Sequence, residues 1–188
     1  MAGRESNYRA RASNSALGSS VFAPAVSSEA MNALDIYHYL DVTDRLATSG
    51  QPTAEQLRAA AAAGFDTIIN LATERSTNAL PGEGDLVRSL GMAYIHIPVE
   101  WDNPTEEDFA AFEQAMRQLS TGKALLHCAA NFRATAFYAL YAQKYLGWSE
   151  AQAEAFRARI WAGSNYPVWE AFIQRMRARI AGETGEGA

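Results

Sequence analysis

Residues 124–135 read Ala-Leu-Leu-His-Cys-Ala-Ala-Asn-Phe-Arg-Ala-Thr. The pattern predicts a buried strand over Ala124–His127, a short loop, and an apolar helix over Ala134–Leu146 that Gly147 ends. Backbone N–H groups at such a helix start point into a concavity, and the helix dipole adds partial positive charge there. The stretch therefore predicts an anion-binding loop at the carboxyl end of a strand.

Two side chains in this loop suit chemistry on an anion. The loop amides and Arg133 would stabilise a thiolate at Cys128. Arg133 offers a planar fork for two oxygens of a phosphate-like group. His127 is expected to hydrogen-bond near the cysteine and help to fix the loop. The alternatives are a small buried apolar residue at position 128 and a core histidine bonded to backbone at position 127.

Strand and helix patterns alternate on the amino-terminal side of the loop. Two further strands are predicted at Thr67–Leu71 and Tyr94–Pro98, with a short helix at Leu86–Leu90 between them. A helix is also predicted to begin after Thr53, an N-cap residue whose capping box Gln56 completes. Another is predicted to start at Thr105–Asp108, with acids in its first turn. Strands that alternate with helices need crossover connections, so we expect an α/β fold with a central, mostly parallel sheet flanked by helices.

The carboxyl-terminal third is predicted to be helical over Ser149–Ile160 and Pro167–Ile180. Trp148, Trp161, Tyr166 and Trp169 recur along it and are interpreted as core residues.

The chain length favours one folded domain. Its 188 residues are 48% hydrophobic, which suits a single domain, assigned to residues 34–181. Residues 1–33 are rich in Ser and Ala without a helical or strand period, so we predict a flexible arm, with Val21 and Phe22 able to dock on the domain. Residues 182–188 are predicted to be a disordered tail.

Composition argues against several classes of function. The formal net charge of −5 disfavours nucleic-acid and anionic-membrane partners. Cys128 is the single cysteine, which excludes an internal disulfide and any multi-cysteine metal site. We expect no metal and no cofactor. The apolar runs are too short for a membrane span, and a cytoplasmic protein is expected.

Several motifs together resemble a known family. His127-Cys128 through Arg133 and Thr135 resembles the signature loop His-Cys-x5-Arg-Ser/Thr of cysteine-dependent protein tyrosine and dual-specificity phosphatases. Three upstream motifs occur in matching order, at Thr48–Thr53 (TSGQPT), Ile69–Leu71 (INL) and Ile97–Trp101 (IPVEW). The resemblance, to a bacterial phosphatase-like branch of these enzymes, runs from about Asp41 to Ile180.

The resemblance implies a mechanism. Cys128 would attack phosphorus and form a phosphocysteine. Arg133 would bind the phosphoryl oxygens together with the backbone amides of the loop, which is formed by Ala129, Ala130, Asn131 and Phe132. Asp102 would protonate the leaving oxygen, with Glu100 as the alternative acid. Thr135 would hydrogen-bond Cys128 and assist its departure from the phosphoenzyme. Asp102 could instead be a surface turn residue, and Thr135 could bond back within its helix.

The loop departs from the phosphatase signature in its length. Four residues separate Cys128 from Arg133, where the signature has five, and none of the four is a glycine. In one alignment the loop has lost a residue and an amide donor. In the other, Thr135 keeps its usual spacing from the cysteine and only the arginine has moved. Both alignments predict weakened or absent phosphatase turnover.

The short spacer leaves two further interpretations open. Rhodanese-type sulfurtransferases carry a Cys-x4-Arg loop at the equivalent strand-to-helix position, so Cys128 could carry a persulfide. The chain could also be a catalytically silent module that binds an oxyanion or a protein partner. The sequence itself therefore predicts a phosphate-ester or other oxyanion ligand without fixing the reaction.

Overall fold

The structure is a computed structural model that describes residues 34–119 and 122–185, the last two by backbone alone. The predicted arm lies outside the described residues, as do Val21 and Phe22. The elements in chain order are β1 (Leu40–Thr43), β2 (Leu46–Ser49), α1 (Ala54–Ala62), β3 (Phe65–Asn70), α2 (Glu83–Ser89), β4 (Ala93–His96), α3 (Glu106–Gln118), β5 (Lys123–His127), α4 (Phe132–Tyr145), α5 (Glu150–Trp161) and α6 (Pro167–Gly185).

The five strands form one sheet in the order β1-β2-β5-β3-β4. β1 runs antiparallel to β2, and every other neighbouring pair is parallel. This confirms the expected α/β fold with a mostly parallel sheet. In the register, Asn70 lies opposite both His127 and His96, and Ser49 lies opposite His127. The carboxyl ends of the four parallel strands therefore meet at one edge of the sheet.

Helices cover both faces of the sheet. On one face, α1 and α2 enclose a smaller core around Leu57, Ile68 and Leu125. On the other, α3 to α6 enclose a larger core that includes Cys128 and Phe137. The four carboxyl-terminal aromatic residues pack in or against this larger core, as we interpreted them: Trp148, Trp161, Tyr166 and Trp169.

Local signals place several helix ends correctly. Thr53 and Thr105 each accept a hydrogen bond from a backbone N–H of the first turn, and both form a capping box. Gly64, after α1, and Gly147, after α4, take left-handed φ angles of 85° and 70°. A side chain is strained in that conformation, so glycine ends the helix there at low cost.

Some element boundaries differ from the predictions. The β1–β2 hairpin was not predicted, because β1 has only four residues and lies at the sheet edge, half exposed. α2 begins at Glu83, three residues before the predicted start. α6 continues to Gly185, so the first part of the predicted tail is helical. There Glu183 is paired with Lys144 and Arg179, which favours continuation of the helix.

Candidate active site

Cys128 lies directly after β5, at the edge where the parallel strands end. It is buried, with 1% of its surface exposed, and its N–H donates to the carbonyl of Ser49 at 3.2 Å. The chain then turns at Asn131, which takes a φ of 68°, and α4 begins at Phe132. Arg133 is therefore the second residue of the helix, which begins two residues before the predicted start at Ala134.

The inside of the loop presents backbone donors. Among the described residues, the N–H groups of Ala129, Ala130, Phe132 and Arg133 have no hydrogen-bond acceptor. The last two belong to the first turn of α4, where intrahelical acceptors do not exist. Successive donors of this kind, at the positive end of a helix of 14 residues, are an arrangement that can bind an anion.

The outside of the loop is held by hydrogen bonds to its carbonyl groups. Ala129 O accepts from Gln51 N at 3.2 Å and from Asn78 Nδ2 at 2.8 Å. Ala130 O accepts from His38 Nδ1 at 3.0 Å. Because the carbonyl groups of the loop are hydrogen-bonded to the surrounding protein, its backbone N–H groups remain available to bind a ligand.

Arg133 is a buried cation beside the loop, with 5% of its surface exposed. Its Nη1 donates to the carbonyl of Val99 at 2.7 Å, and its guanidinium carbon lies 5.9 Å from the centre of the Trp101 ring. Its Nε has no hydrogen-bond partner among the described residues. The guanidinium is thus fixed in place and retains a buried donor that suits an oxyanion.

The loop that carries Asp102 covers the start of α4. The Trp101 ring packs edge-on against Phe132 at 6.0 Å, and Trp101 O accepts from Trp169 Nε1 at 2.8 Å. Asp102 is exposed in a turn in which Asn103 N donates to Glu100 O. The other candidate acid, Glu100, is engaged in an ion pair with Arg75. Asp102 therefore retains a free carboxylate in this loop, and Glu100 does not.

His127 points to the opposite face of the sheet from Cys128, into a buried polar network. Its Nε2 donates to Glu83 Oε1 at 2.7 Å, and both side chains are almost fully buried. Glu83 Oε2 accepts from Gln51 at 2.7 Å and from Asn70 at 3.4 Å. Burial raises the pKa of Glu83, but the hydrogen bonds from His127 and Gln51 and the charges of His127 and His96 outweigh it and hold the pKa below its usual value.

Thr135 does not make the hydrogen bond that we expected to Cys128. Its hydroxyl donates to the carbonyl of Asn131 at 2.7 Å and is shared with the carbonyl of Phe132. Its oxygen accepts from Trp161 Nε1 at 3.1 Å. The hydroxyl therefore hydrogen-bonds within the first turn of α4. Threonine side chains in helices commonly donate to the carbonyl four residues back.

Two residues that support the candidate site were missed by sequence reasoning. Glu83 resembles an ordinary acid of a helix first turn, and only the structure shows its contact with His127, 44 residues away. His38 lies before the first strand and reaches the loop 92 residues later.

No cluster of three or more metal-ligating side chains occurs within residues 34–119 and 122–185. In the same ranges, no helix is long and apolar enough to span a bilayer.

Curated relatives match part of the chain. A beta-lactamase hydrolase-like protein from Xylella fastidiosa is 36% identical over 104 residues, which are 54% of this chain and 24% of the relative. A protein of the same description from Agrobacterium fabrum is 33% identical over 102 residues. The match thus spans about a quarter of the length of these relatives.

Solved structures and a family model match more of the chain. A DUF442 phosphatase from Shewanella putrefaciens is 37% identical, with a TM-score of 0.72, and the alignment covers 82% of this chain and 99% of that one. The active form of Tk-PTP shares the fold at 18% identity and a TM-score of 0.64, over 76% of this chain and 97% of that one. The family model described as "DSP-PTPase phosphatase fused to NAD+ Kinase" matches residues 23–166. With Cys128 directly after β5 and Arg133 in the first turn of α4, the chain belongs to this family of cysteine-phosphatase-like domains.

Proposed function

We propose that the chain hydrolyses phosphate monoesters through a phosphocysteine at Cys128. The observation that carries this proposal is the set of unpaired backbone donors in the loop after the only cysteine, beside the buried Nε of Arg133. A phosphoryl group has three equatorial oxygens that need such donors in its transition state. Membership of the phosphatase-like family supports phosphatase chemistry. The substrate class and the presence of turnover are our own proposal.

In the first step, the Cys128 thiolate attacks phosphorus and the bond to the ester oxygen breaks. The amides of Ala129, Ala130 and Phe132 and the guanidinium of Arg133 bind the equatorial oxygens. They stabilise the charge that develops there without reorganisation, because the hydrogen bonds on the carbonyl side already fix the loop. The product of this step is a thiophosphate ester at Cys128.

Asp102 is proposed as the proton donor to the leaving oxygen. In the second step, its carboxylate takes a proton from the water that attacks the phosphocysteine, which releases inorganic phosphate and restores the thiolate. The free carboxylate of Asp102 supports this role over Glu100, which is paired with Arg75. A movement of the 99–104 loop would be needed to bring Asp102 over the bound ester.

The test is hydrolysis of an aryl phosphate from pH 5 to 8, with the wild type compared with Cys128→Ser. We expect turnover in the wild type and none in the variant, with retained binding of inorganic phosphate in both. Equal turnover in the two proteins would overturn the proposal. Phosphate binding without turnover in the wild type would instead identify a silent oxyanion-binding module.

A second candidate is sulfur transfer, which the four-residue spacer favours. The Cys128 thiolate would take the outer sulfur of thiosulfate, forming a persulfide and releasing sulfite. A single sulfur occupies less space than a phosphoryl group and suits a shorter loop. Mass spectrometry after thiosulfate treatment tests this: a gain of one sulfur in the wild type and none in Cys128→Ser would support it.

A cytoplasmic setting and an oxyanion ligand, with no nucleic-acid or membrane partner, complete the proposal. The free cysteine supports the cytoplasmic setting, and the acidic composition supports the absence of nucleic-acid and membrane partners. The unpaired loop donors and the Nε of Arg133 support the oxyanion.

A further inference from the structure

A cavity lies at the carboxyl ends of β3 and β4, on the face of the sheet that α1 and α2 cover. Its volume is about 570 Å³, which falls in the range of small-ligand sites. We call it the α2 cavity. Cys128 and Arg133 are not among the residues that line it, so it is separate from the anion site. Its lining combines apolar, aromatic and acidic residues: Leu80, Pro81, Tyr94, Glu74, Glu83 and Asp85.

The α2 cavity has an excess of negative charge. Arg88 is the one arginine or lysine among the described residues that line it, against three carboxylates. Among the described residues, Glu74 has no ion-pair partner, and Asp85 is paired with Arg88 alone, at 3.4 Å. Burial raises the pKa of Tyr94 to about 12, and the negative charges of Glu83 and Glu74 add to this effect. The cavity therefore favours a cationic ligand.

The wall of the cavity already accommodates one guanidinium, that of Arg88. Its guanidinium carbon lies 5.5 Å from the centre of the Tyr94 ring, in a cation–π contact. A second arginine would find carboxylates for its guanidinium and the apolar wall of Leu80 and Pro81 for its aliphatic stem. Arginine fits this lining better than lysine does, because its guanidinium is planar and weakly hydrated.

The chain itself supplies arginines in a segment of opposite charge. Residues 1–20, which lie outside the described residues, contain Arg4, Arg9 and Arg11 and a single acid, Glu5. Residues 34–188 contain 13 basic and 19 acidic residues. The two parts of the chain therefore have opposite net charge and attract each other.

The start of the described chain lies on the face of the sheet that carries the cavity. Leu34 packs against the smaller core, as do Leu80 and Tyr94 from the cavity wall. Arg11 precedes Leu34 by 23 residues. A chain of that length extends to about 80 Å, which is several times the radius of gyration of a domain of this size. All three arginines can therefore reach the cavity.

We propose that the α2 cavity binds an arginine side chain from residues 1–20 of the same chain, with its guanidinium paired with Glu74 and Asp85. Tethering gives the segment an effective concentration in the millimolar range, so a weak contact is sufficient to occupy the cavity. Asn78, on the segment between Glu74 and Glu83, donates to the carbonyl of Ala129. The bound arginine thus contacts the segment that holds the Cys128 loop. The inference does not depend on the proposed phosphatase function.

The first test compares amide NMR spectra of the full chain with those of its Arg4→Gln/Arg9→Gln/Arg11→Gln variant. We expect the amide shifts of residues 74 and 82–85 to differ between the two proteins. Salt at about 0.5 M should move the wild-type shifts toward those of the variant, because it screens exposed ion pairs. The control removes three exposed arginines elsewhere, Arg45, Arg117 and Arg159, and should leave these amides unchanged.

The second test adds a synthetic peptide of residues 1–20, at up to several millimolar, to the variant that lacks the three arginines. The peptide should restore the wild-type shifts at the cavity. Glu74→Gln/Asp85→Asn in the same protein should weaken peptide binding about fivefold or more, since it removes both exposed carboxylates. Asp44→Asn/Glu107→Gln is the matched control, with the same change of charge at exposed positions elsewhere, and should leave the affinity unchanged.

Two outcomes would overturn the inference. One is identical shifts at the cavity in the wild type and the arginine variant, even if a hexa-arginine peptide binds there, because the cavity would then serve a basic segment of another chain. The other is peptide binding that is insensitive to Glu74→Gln/Asp85→Asn. Neither outcome bears on aryl phosphate turnover, which is measured separately with Cys128→Ser.

Discussion

Asn131 donates from Nδ2 to the backbone carbonyl of His38 at 2.7 Å, and these two residues are the non-glycine residues with a left-handed φ among those described. Asn131 also donates to Thr48 Oγ1 at 3.1 Å. Asparagine tolerates this conformation better than most residues, and its amide joins two strained points of the chain. The Cys128 loop and the segment before β1 therefore form one structural unit.

Asn131→Ala should lower the free energy of unfolding by roughly 2–3 kcal/mol, since it adds backbone strain and removes two hydrogen bonds from a buried site. Asn131→Gly should cost less, because glycine accepts the left-handed φ and loses only the hydrogen bonds. Urea unfolding of the two variants and the wild type measures the difference. Equal costs would show that the hydrogen bonds alone matter at this position.

Glu83→Gln should change how stability depends on pH. The pKa of Glu83 is lowered in the folded protein, so its carboxylate stabilises the fold above the pKa of the unfolded chain. That stabilisation is lost as pH falls through the lowered pKa. The wild type should therefore exceed Glu83→Gln in free energy of unfolding at pH 7, and the two should converge as pH falls below about 4.

The matched control for this change is Glu107→Gln, since Glu107 is exposed on α3. It should cost much less stability at pH 7 than Glu83→Gln, because an exposed carboxylate in the first turn interacts only with the helix dipole. A constant difference between wild type and Glu83→Gln from pH 7 to pH 3 would contradict the charge-based role of Glu83.

Asp102→Asn should lower kcat for phenyl phosphate about 100-fold, the usual contribution of a general acid. The loss should be smaller for p-nitrophenyl phosphate, whose leaving group needs less protonation. Glu100→Gln should leave kcat within about twofold, because that carboxylate is engaged by Arg75. Steady-state kinetics with both substrates measures this, and a reversed order of the two variants would assign the acid to Glu100.

Arg133→Lys should reduce kcat/KM for aryl phosphates by about 100-fold or more, because an ammonium cannot present the planar fork of donors. The contact with the carbonyl of Val99 should weaken as well, at a modest cost in stability. Arg159→Lys, an exposed substitution on α5, is the control and should have no effect. Unchanged kinetics in Arg133→Lys would remove the arginine from the proposed mechanism.

Sequence patterns predicted the parts of this protein that depend on neighbouring residues. The run Ala124–His127, the loop and the apolar helix behind it were sufficient to predict a parallel strand end with an anion-binding loop. Thr53 was correctly identified as a cap, and a helix start was correctly placed at Thr105, because a capping hydrogen bond closes within three residues. Cys128 and Arg133 could be chosen as candidate site residues for the same reason, because they lie within one strand–loop–helix unit.

The tertiary structure alone decided what surrounds the loop. Glu83 hydrogen-bonds to His127, 44 residues away, and His38 hydrogen-bonds to the carbonyl of Ala130, 92 residues away. No local sequence pattern encodes contacts between residues so far apart. The structure likewise directed the hydroxyl of Thr135 to the helix backbone rather than to Cys128. By itself the sequence determined the fold class and the candidate nucleophile, because both follow from short-range periodicity and turn chemistry. Which groups hold the loop and flank it was decided by the packing of distant elements at one edge of the sheet.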